Sequence, residues 1–477
     1  MSNKKHNGEN FNVKWSVKKL FYLFLIVVFC TFSLVACAEL ESPESSVGYD
    51  LCATFDVDSH SLTGELSLDY VYKGESTLTS LTFSLHPNRY MEGAMKVDNV
   101  YVDGSQVGFS IVNKTYMEVA LPYELFGGDK VSVVINWTLE VVEGDGIFGY
   151  SERDVRLSGW YPVLCVLEDE WCTDEGRWGD YLFSECADYT VRLTVSDKVT
   201  VASSGKRIMQ TNSDDTVTYT YEGKNMRDFA FAISERFSVV SGVCGSTLVS
   251  AYGFDEKGAQ SMLVMAQRAL SFYNERYGNY PYPTYSVCST KLKEGGMEFS
   301  GLVYVNDTLI DTELEEVVAH ETAHQWWYGV LGSSPIKYAW LDEGLTEYST
   351  LCYMSSRHGE EWYNTKVTKL HQAYASLCDV EIRLNNRCDI PMSQSTTLYR
   401  SSYEYAMVTY VKGMLFFENL NSITNGKLDL ALREYYRDFA YGIVTPENLR
   451  LIVEKKSKLN LIGFFDAWEG GKVVFCY

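Results

Sequence analysis

Histidine is scarce in this 477-residue chain, with seven in all, and basic residues are outnumbered, 41 lysines and arginines against 63 aspartates and glutamates. The resulting formal net charge of −22 argues against nucleic acid as a partner and against electrostatic docking on anionic lipid. No internal repeat occurs, which excludes a solenoid, and no low-complexity tract occurs either. None of the twelve cysteines falls in a Cys-x-x-Cys pair, so the spacing of a thiolate metal site is missing. What is present is 46% hydrophobic and 22% charged, enough apolar material for at least two cores and too little charge for disorder.

Against that scarcity of histidine one stretch stands out. Residues 317–324 read Val-Val-Ala-His-Glu-Thr-Ala-His, and chance supplies His-Glu-x-x-His on the order of once per hundred such proteins. On a helix, residues four apart stack on one face, so His320 and His324 can converge on a single ion, for which zinc is the expected metal, one per chain. Glu321 lies about 100° further round, which aims its carboxylate at a water beside the metal, as a general base requires. Thr312 and Glu315 have the spacing of a capping box, and Gly329 and Gly332 offer places to stop. A zinc hydrolase needs one more protein ligand, and Glu343, separated from His324 by eighteen residues, can return to the ion at the start of an antiparallel partner helix. Glu347, one turn further, is placed to orient a ligand histidine.

This pattern, with its His-Gln-Trp-Trp and Trp-Leu-Asp-Glu-Gly settings, resembles the gluzincin zinc peptidases that include aminopeptidase N and leukotriene hydrolase. Two further segments are similar to signatures of that family. Gly295, Gly296, Met297, Glu298 and Phe299 match an exopeptidase segment, with Phe299 in place of the usual asparagine. Tyr410 opens a Tyr-x-Lys-Gly segment. The resemblance implies that Glu298 binds a substrate N-terminus with Gly295, Gly296 and Met297 along the bound peptide. It also implies that Tyr410 supports the tetrahedral intermediate, with Tyr405 a weaker candidate for that role. It implies an α+β fold as well, an N-terminal antiparallel β domain followed by a thermolysin-like, mainly helical zinc-peptidase domain. Many relatives carry a further helical domain that roofs the cleft, and this chain is expected to be a bacterial lipoprotein member without it.

The remaining organisation follows in chain order. Lys14, Lys18 and Lys19 precede an apolar run from Leu20 to Val35, and Leu34-Val35-Ala36-Cys37 resembles a lipobox, so residues 1–36 are expected to be a lipoprotein signal peptide. Cys37 would then carry the lipid, and the protein would be extracytoplasmic and anchored to a bacterial membrane; an uncleaved anchor is the alternative. Removing residues 1–36 takes away five lysines and one glutamate, moving the formal charge from −22 to −26. Residues 37–47 read as a tether and 48–240 as the β domain, where Leu66, Leu68, Tyr70 and Tyr72, and then Tyr189, Val191, Leu193 and Val195, alternate with polar residues. Its many aromatics are taken as core, with no role in the site. Residues 241–477 form the catalytic domain, opening on a helix within Gly258–Tyr277. Cys378 and Cys388 close a short loop and Cys165, Cys172 and Cys186 cluster, which permits disulfides outside the cytoplasm but leaves free thiols equally open.

Together these readings predict a zinc-dependent aminopeptidase acting on peptides with a free N-terminus. Two other classes stay open, a zinc endopeptidase and a catalytically inactive, zinc-stabilised surface binding protein.

Overall fold

Alternating burial builds the first half of the molecule. In strand Ala187–Ser196 every second side chain from Ala187 to Val195 is buried, strand Ser61–Val71 holds the other expected alternation, and Thr216–Met226 pairs beside Ala187–Ser196. All three belong to one eight-stranded sheet, and two four-stranded sheets complete the β region, whose last strand is Phe231–Ser234. The computed structural model describes Leu40 and residues 42–475, so the expected leader and Cys37 lie outside the described residues. Among the described residues no helix is long and apolar enough to cross a membrane.

The large sheet is antiparallel apart from one pair. Val47–Asp56 runs parallel to Ala187–Ser196, with Leu51 opposite Val191. Parallel neighbours need a crossover, and here residues 57–186 supply it. The expected tether over 37–47 needs correction at its inner end. The Asn225 side-chain amide donates to Ser42 Oγ (2.7 Å) and Pro43 O (3.0 Å), and Ser45 Oγ donates to Cys186 O (3.1 Å), so residues 42–46 are pinned to the sheet and the strand begins at Val47.

The second half begins with the hairpin Ser238–Cys244 and Thr247–Gly253. The change of sheet therefore falls between Ser234 and Ser238, slightly ahead of the expected boundary at 240. These strands continue into Thr284–Thr290, Leu302–Asn306 and, at the far edge, Gly296–Phe299. Helix α1 (Glu256–Tyr277) starts where the Asp255 carboxylate accepts the Gly258 N–H, and buries Met262, Ala266, Ala269 and Leu270. Then follow α2 (Asp311–His324), α3 (Ala339–His358) and α4 (Glu360–Asn385). The chain ends in α5 (Ser402–Ala406), α6 (Gly413–Ile423), α7 (Leu428–Asp438), α8 (Pro446–Ser457) and α9 (Ile462–Glu469).

Helices α2 and α3 run antiparallel: Glu315 accepts from Tyr353 and Arg357 (2.9 Å each), while His324, nine residues on, meets Asp342. That register explains why the expected capping box is absent. The Glu315 carboxylate is taken by α3, and α2 is entered from an extended Ile310 with Asp311 at φ 52° and no side-chain cap. The nine described cysteines, from Cys52 to Cys388, are free thiols, so neither candidate pairing forms among them.

One buried ion pair gathers the C-terminal half. Lys412 Nζ donates to Asp389 Oδ2 (2.7 Å), Ile390 O (2.7 Å) and Trp468 O (2.9 Å), and the Tyr374 hydroxyl on α4 donates to Asp389 Oδ1 (2.7 Å). All three donor positions of the ammonium are used, and no water is needed. Lys412→Met leaves Asp389 charged and buried, and is expected to cost about 3–5 kcal/mol in urea unfolding. The double variant Lys412→Met/Asp389→Leu should recover part of that loss; an unchanged midpoint in the single variant would show the pair to be dispensable.

Candidate active site

Helix α2 delivers His320 and His324 to one face, and α3 brings Glu343 across to them. Glu343 Oε2 lies 3.3 Å from the Nε2 atom of each imidazole, and the two nitrogens are 3.1 Å apart. Donors about 2.0–2.1 Å from a tetrahedral ion are separated by about 3.3 Å, so this near-equilateral triangle fits zinc without rearrangement. One further observation agrees with a cation here. Glu343 Oε2 and Glu321 Oε2 are buried with no hydrogen-bond partner. Burial opposes a charged ring at His320, yet the adjacent Glu343 and Glu347 carboxylates outweigh it and push the ring up to about 10. At Glu343, burial alone would raise the carboxyl, but the two imidazoles hold it well below the usual range.

The outer nitrogens of both rings are engaged. His320 Nδ1 is 3.2 Å from Glu347 Oε1, as the spacing led one to expect. His324 Nδ1 donates to Asp342 Oδ1 at 2.8 Å, a partner that the sequence reading missed, although Asp342 directly precedes Glu343. Such bonds fix tautomer and ring orientation and usually account for 10–100-fold in metal affinity, roughly, when removed.

Beside the triangle runs the edge strand Gly296–Phe299. Glu298 is buried there, and none of the hydrogen bonds of the described residues uses its carboxylate; one of its oxygens lies within 4.8 Å of a His324 nitrogen and a Glu321 oxygen. Burial raises its carboxyl well above the usual range. Phe299 points away into the core against Tyr304, so its departure from the family signature leaves Glu298 undisturbed. Met297 is largely buried in the same core and still lines the cleft, whereas Gly295 is exposed at the rim. At Gly296 a β-carbon would overlap the Glu321 carboxylate, so only glycine lets the strand pass this close. Gln325 holds strand and helix together, donating to Phe299 O (3.0 Å) and accepting the Gly301 N–H (2.8 Å). Burial pushes the Glu321 carboxyl up to about 7, a poise suited to taking and returning a proton near neutrality.

Tyr410 arrives on a π-helical turn, Met407–Lys412, and its hydroxyl donates to Glu343 Oε1 at 2.7 Å. The approach depends on Gly344 and Gly413 meeting backbone to backbone, since a β-carbon on either would strike the other. This gives the glycine of the Tyr-x-Lys-Gly segment a packing reason, as the Asp389 ion pair does for its lysine. Tyr405 packs edge-on against Tyr410 and also lines the cleft.

The cleft has a volume of about 1080 Å³. The β domain, to which the sequence reading gave no part in the site, supplies one wall: Tyr90, Phe148, Asp180 and Tyr181 face the same space as the histidines, with Glu143 and Asp145 at the rim. These residues sit on loops with no periodicity to betray them.

Residues 262–468, which hold His320, His324, Glu343, Glu298 and Tyr410, match the peptidase family M1 domain. Within this region His320, His324 and Glu343 form a donor set that fits zinc. Leucine aminopeptidase 2 of Saccharomyces cerevisiae is 27% identical over 173 residues, covering 34% of this chain and 25% of the yeast protein. Aminopeptidase N of Lactobacillus delbrueckii subsp. lactis is 24% identical over 283 residues, covering 54% of this chain and 32% of its own length. The chain thus spans about a quarter to a third of these curated relatives. An M1 zinc metallopeptidase of Deinococcus radiodurans shares the fold, with a TM-score of 0.66 at 18% identity, over 91% of this chain and 96% of that one. A variant of that protein has been solved with a Tyr-Ser-Ala substrate.

Elemental analysis should find one zinc per chain, with Glu343→Ala losing most of it and Asp342→Asn binding it roughly 10–100-fold more weakly. Full zinc retention by Glu343→Ala would remove that residue from the ligand set.

Proposed function

We propose that this M1 peptidase is a zinc-dependent aminopeptidase that releases single residues from the free N-terminus of peptides. The observation that carries the reading is Glu298, a buried carboxylate without a protein partner beside the zinc donors. A buried anion of this kind calls for a cation, and an α-ammonium delivered there places the first peptide bond at the metal. The peptide bound by the Deinococcus neighbour supports a peptide as occupant of the cleft.

His320, His324 and Glu343 would hold the ion. When bound, zinc supplies a Lewis acid that makes water acidic near neutral pH and polarises a carbonyl oxygen. Glu321 takes the proton of the attacking water and returns it to the leaving nitrogen. The Tyr410 hydroxyl, close enough to bond Glu343 at rest, swings its hydrogen bond to the developing oxyanion. Three protein ligands and an adjacent base speak against a purely structural zinc site, which takes four ligands. Extracytoplasmic attachment through a lipid on Cys37 is the localisation we propose, supported by the leader pattern alone.

Glu321→Gln should keep zinc and fold while losing roughly 10²–10⁴ in turnover. Tyr410→Phe should lower turnover about 10²-fold with a smaller change in KM. Mass analysis of a free peptide and its N-acetylated twin decides the reaction class. Stepwise loss of residues from the free peptide only is expected; internal fragments from both would make the protein an endopeptidase. Cys37→Ser should release the protein from membranes, and unchanged membrane partition would rule out the lipid anchor.

A further inference from the structure

A buried ion pair holds both lips of the cleft without lining it. The first lip is residues 142–148 of the β domain, and the second is residues 293–296, which lead into the strand that bears Glu298. Backbone bonds close the first lip on itself: the Tyr150 N–H donates to Val142 O (2.8 Å) and the Gly144 N–H to Tyr150 O (3.0 Å). Another stitches the lips together, from the Lys293 N–H to Asp145 O (2.8 Å). Both are also tied to the short strand Val155–Leu157 and the residue before it. Asp154 and Arg156 stand two apart on extended chain and share a face, with Arg156 Nε 3.7 Å from Asp154 Oδ1 and both side chains fully buried. Each holds one lip. Arg156 Nη2 donates to Gly144 O in the first, the one hydrogen bond of that guanidinium among the described residues. Asp154 Oδ2 accepts the Lys291 N–H (2.7 Å) at the root of the second, while its Oδ1 accepts the Ser151 hydroxyl (2.7 Å).

A buried ion pair is costly to desolvate, and apolar residues of similar volume often serve stability as well or better. What apolar residues could not supply is directional bonding to Gly144 and Lys291. Glu298 is buried within the cleft and Gly295 is exposed at its rim. A peptide held by its amino end beside Glu298 and running back along the edge strand therefore brings its later residues between the lips. Resting on the aminopeptidase reading above, we infer that Arg156 and Asp154 are positioning residues that set the spacing of the two lips, and thereby the grip on the substrate beyond its first residue. Neither lines the cleft, so their effect falls on the binding of longer peptides and leaves the chemical step alone.

Arg156→Lys separates this role from a merely structural one. The lysine ammonium falls about where the guanidinium carbon was, close to Asp154 but short of Gly144, so the charge pair stays and the bond to the first lip goes. Two substrates are compared, leucine p-nitroanilide, which ends just past the scissile bond, and the pentapeptide Leu-Ala-Ala-Ala-Ala, which reaches the lips. In Arg156→Lys, KM for the pentapeptide should rise roughly 10-fold, while KM for the anilide and kcat for both stay within about twofold. Hydrogen exchange followed by mass spectrometry should be faster both in residues 142–149 and in 291–296, although the substitution removes a bond to the first segment only. If Arg156→Lys does not fold, Asp154→Asn takes its place; its amide oxygen can still accept the Lys291 N–H, and the same split between the two substrates is expected. A KM that rises alike for both substrates, or for neither, would overturn the inference, as would faster exchange confined to 142–149. Failure of the underlying reading shows elsewhere: a zinc-loaded parent protein that hydrolyses neither substrate is no aminopeptidase, and the exchange rates then still decide whether the pair couples the lips.

Discussion

Several carboxylates held close together in one cleft repel one another, and the rest of the active region is organised to resist that repulsion. Glu298, Glu321, Glu343, Glu347 and Asp180 line one cleft with Asp342 close behind at His324, and the positive charge that the protein sets among them is that of two imidazoles. Such a cluster would draw in water or spread apart on a soft scaffold. The surrounding structure is stiff in the places that matter. Gln325 ties the edge strand to the end of α2, Gly344 lets α3 abut the turn that bears Tyr410, and the Lys412 ammonium closes three chain segments on itself. Arg227 does the same between the two halves, donating from its buried guanidinium to Tyr328 O (2.7 Å), Ser184 O (2.7 Å) and Gly442 O (3.0 Å).

Both π-helical turns among the described residues belong to this site. Residues 325–330 follow His324 without a break, and 407–412 contain Tyr410. A π turn shifts the helix phase relative to a regular α-helix, and it is costly enough to persist only where tertiary contacts hold it. Here Arg227 and Asp228 secure the first turn, the latter accepting the Tyr328 hydroxyl at 2.6 Å, and the Asp389 pair secures the second. The ligand helix can thus end on a histidine while the next residue, Gln325, already faces the sheet.

What the sequence made legible was whatever chemistry repeats at a local period. His320 and His324 stand four apart on one helix and Glu343 and Glu347 four apart on the next, so each pair shares a face that the numbering reveals. The strands around Leu66 and Tyr189 announced themselves by alternation for the same reason. Asp342 was hidden in plain view, since its neighbour Glu343 already accounted for the acidic pair. Asp180, Tyr90 and Tyr181 were not legible, because a wall assembled from loops of another domain is set by tertiary contact alone. The capping box misled because Thr312 and Glu315 have the right spacing, yet Glu315 gains more from Tyr353 and Arg357 than from a helix end. The pinning of residues 42–46 depended on Asn225, about 180 residues away, which no local pattern can reveal.

The parallel pairing of Val47–Asp56 with Ala187–Ser196 also has a kinetic side. About 130 residues separate the two strands, so this contact is among the least local in the molecule and its closure is entropically slow. At roughly 5–20 residues per second of synthesis, the first strand waits on the order of ten seconds for its inner neighbour to exist. Until then one of its edges is open, and the hairpin with Ser61–Val71 is its only shelter against pairing with a foreign chain. The strand that centres the finished sheet is thus the one longest at risk on the way to it.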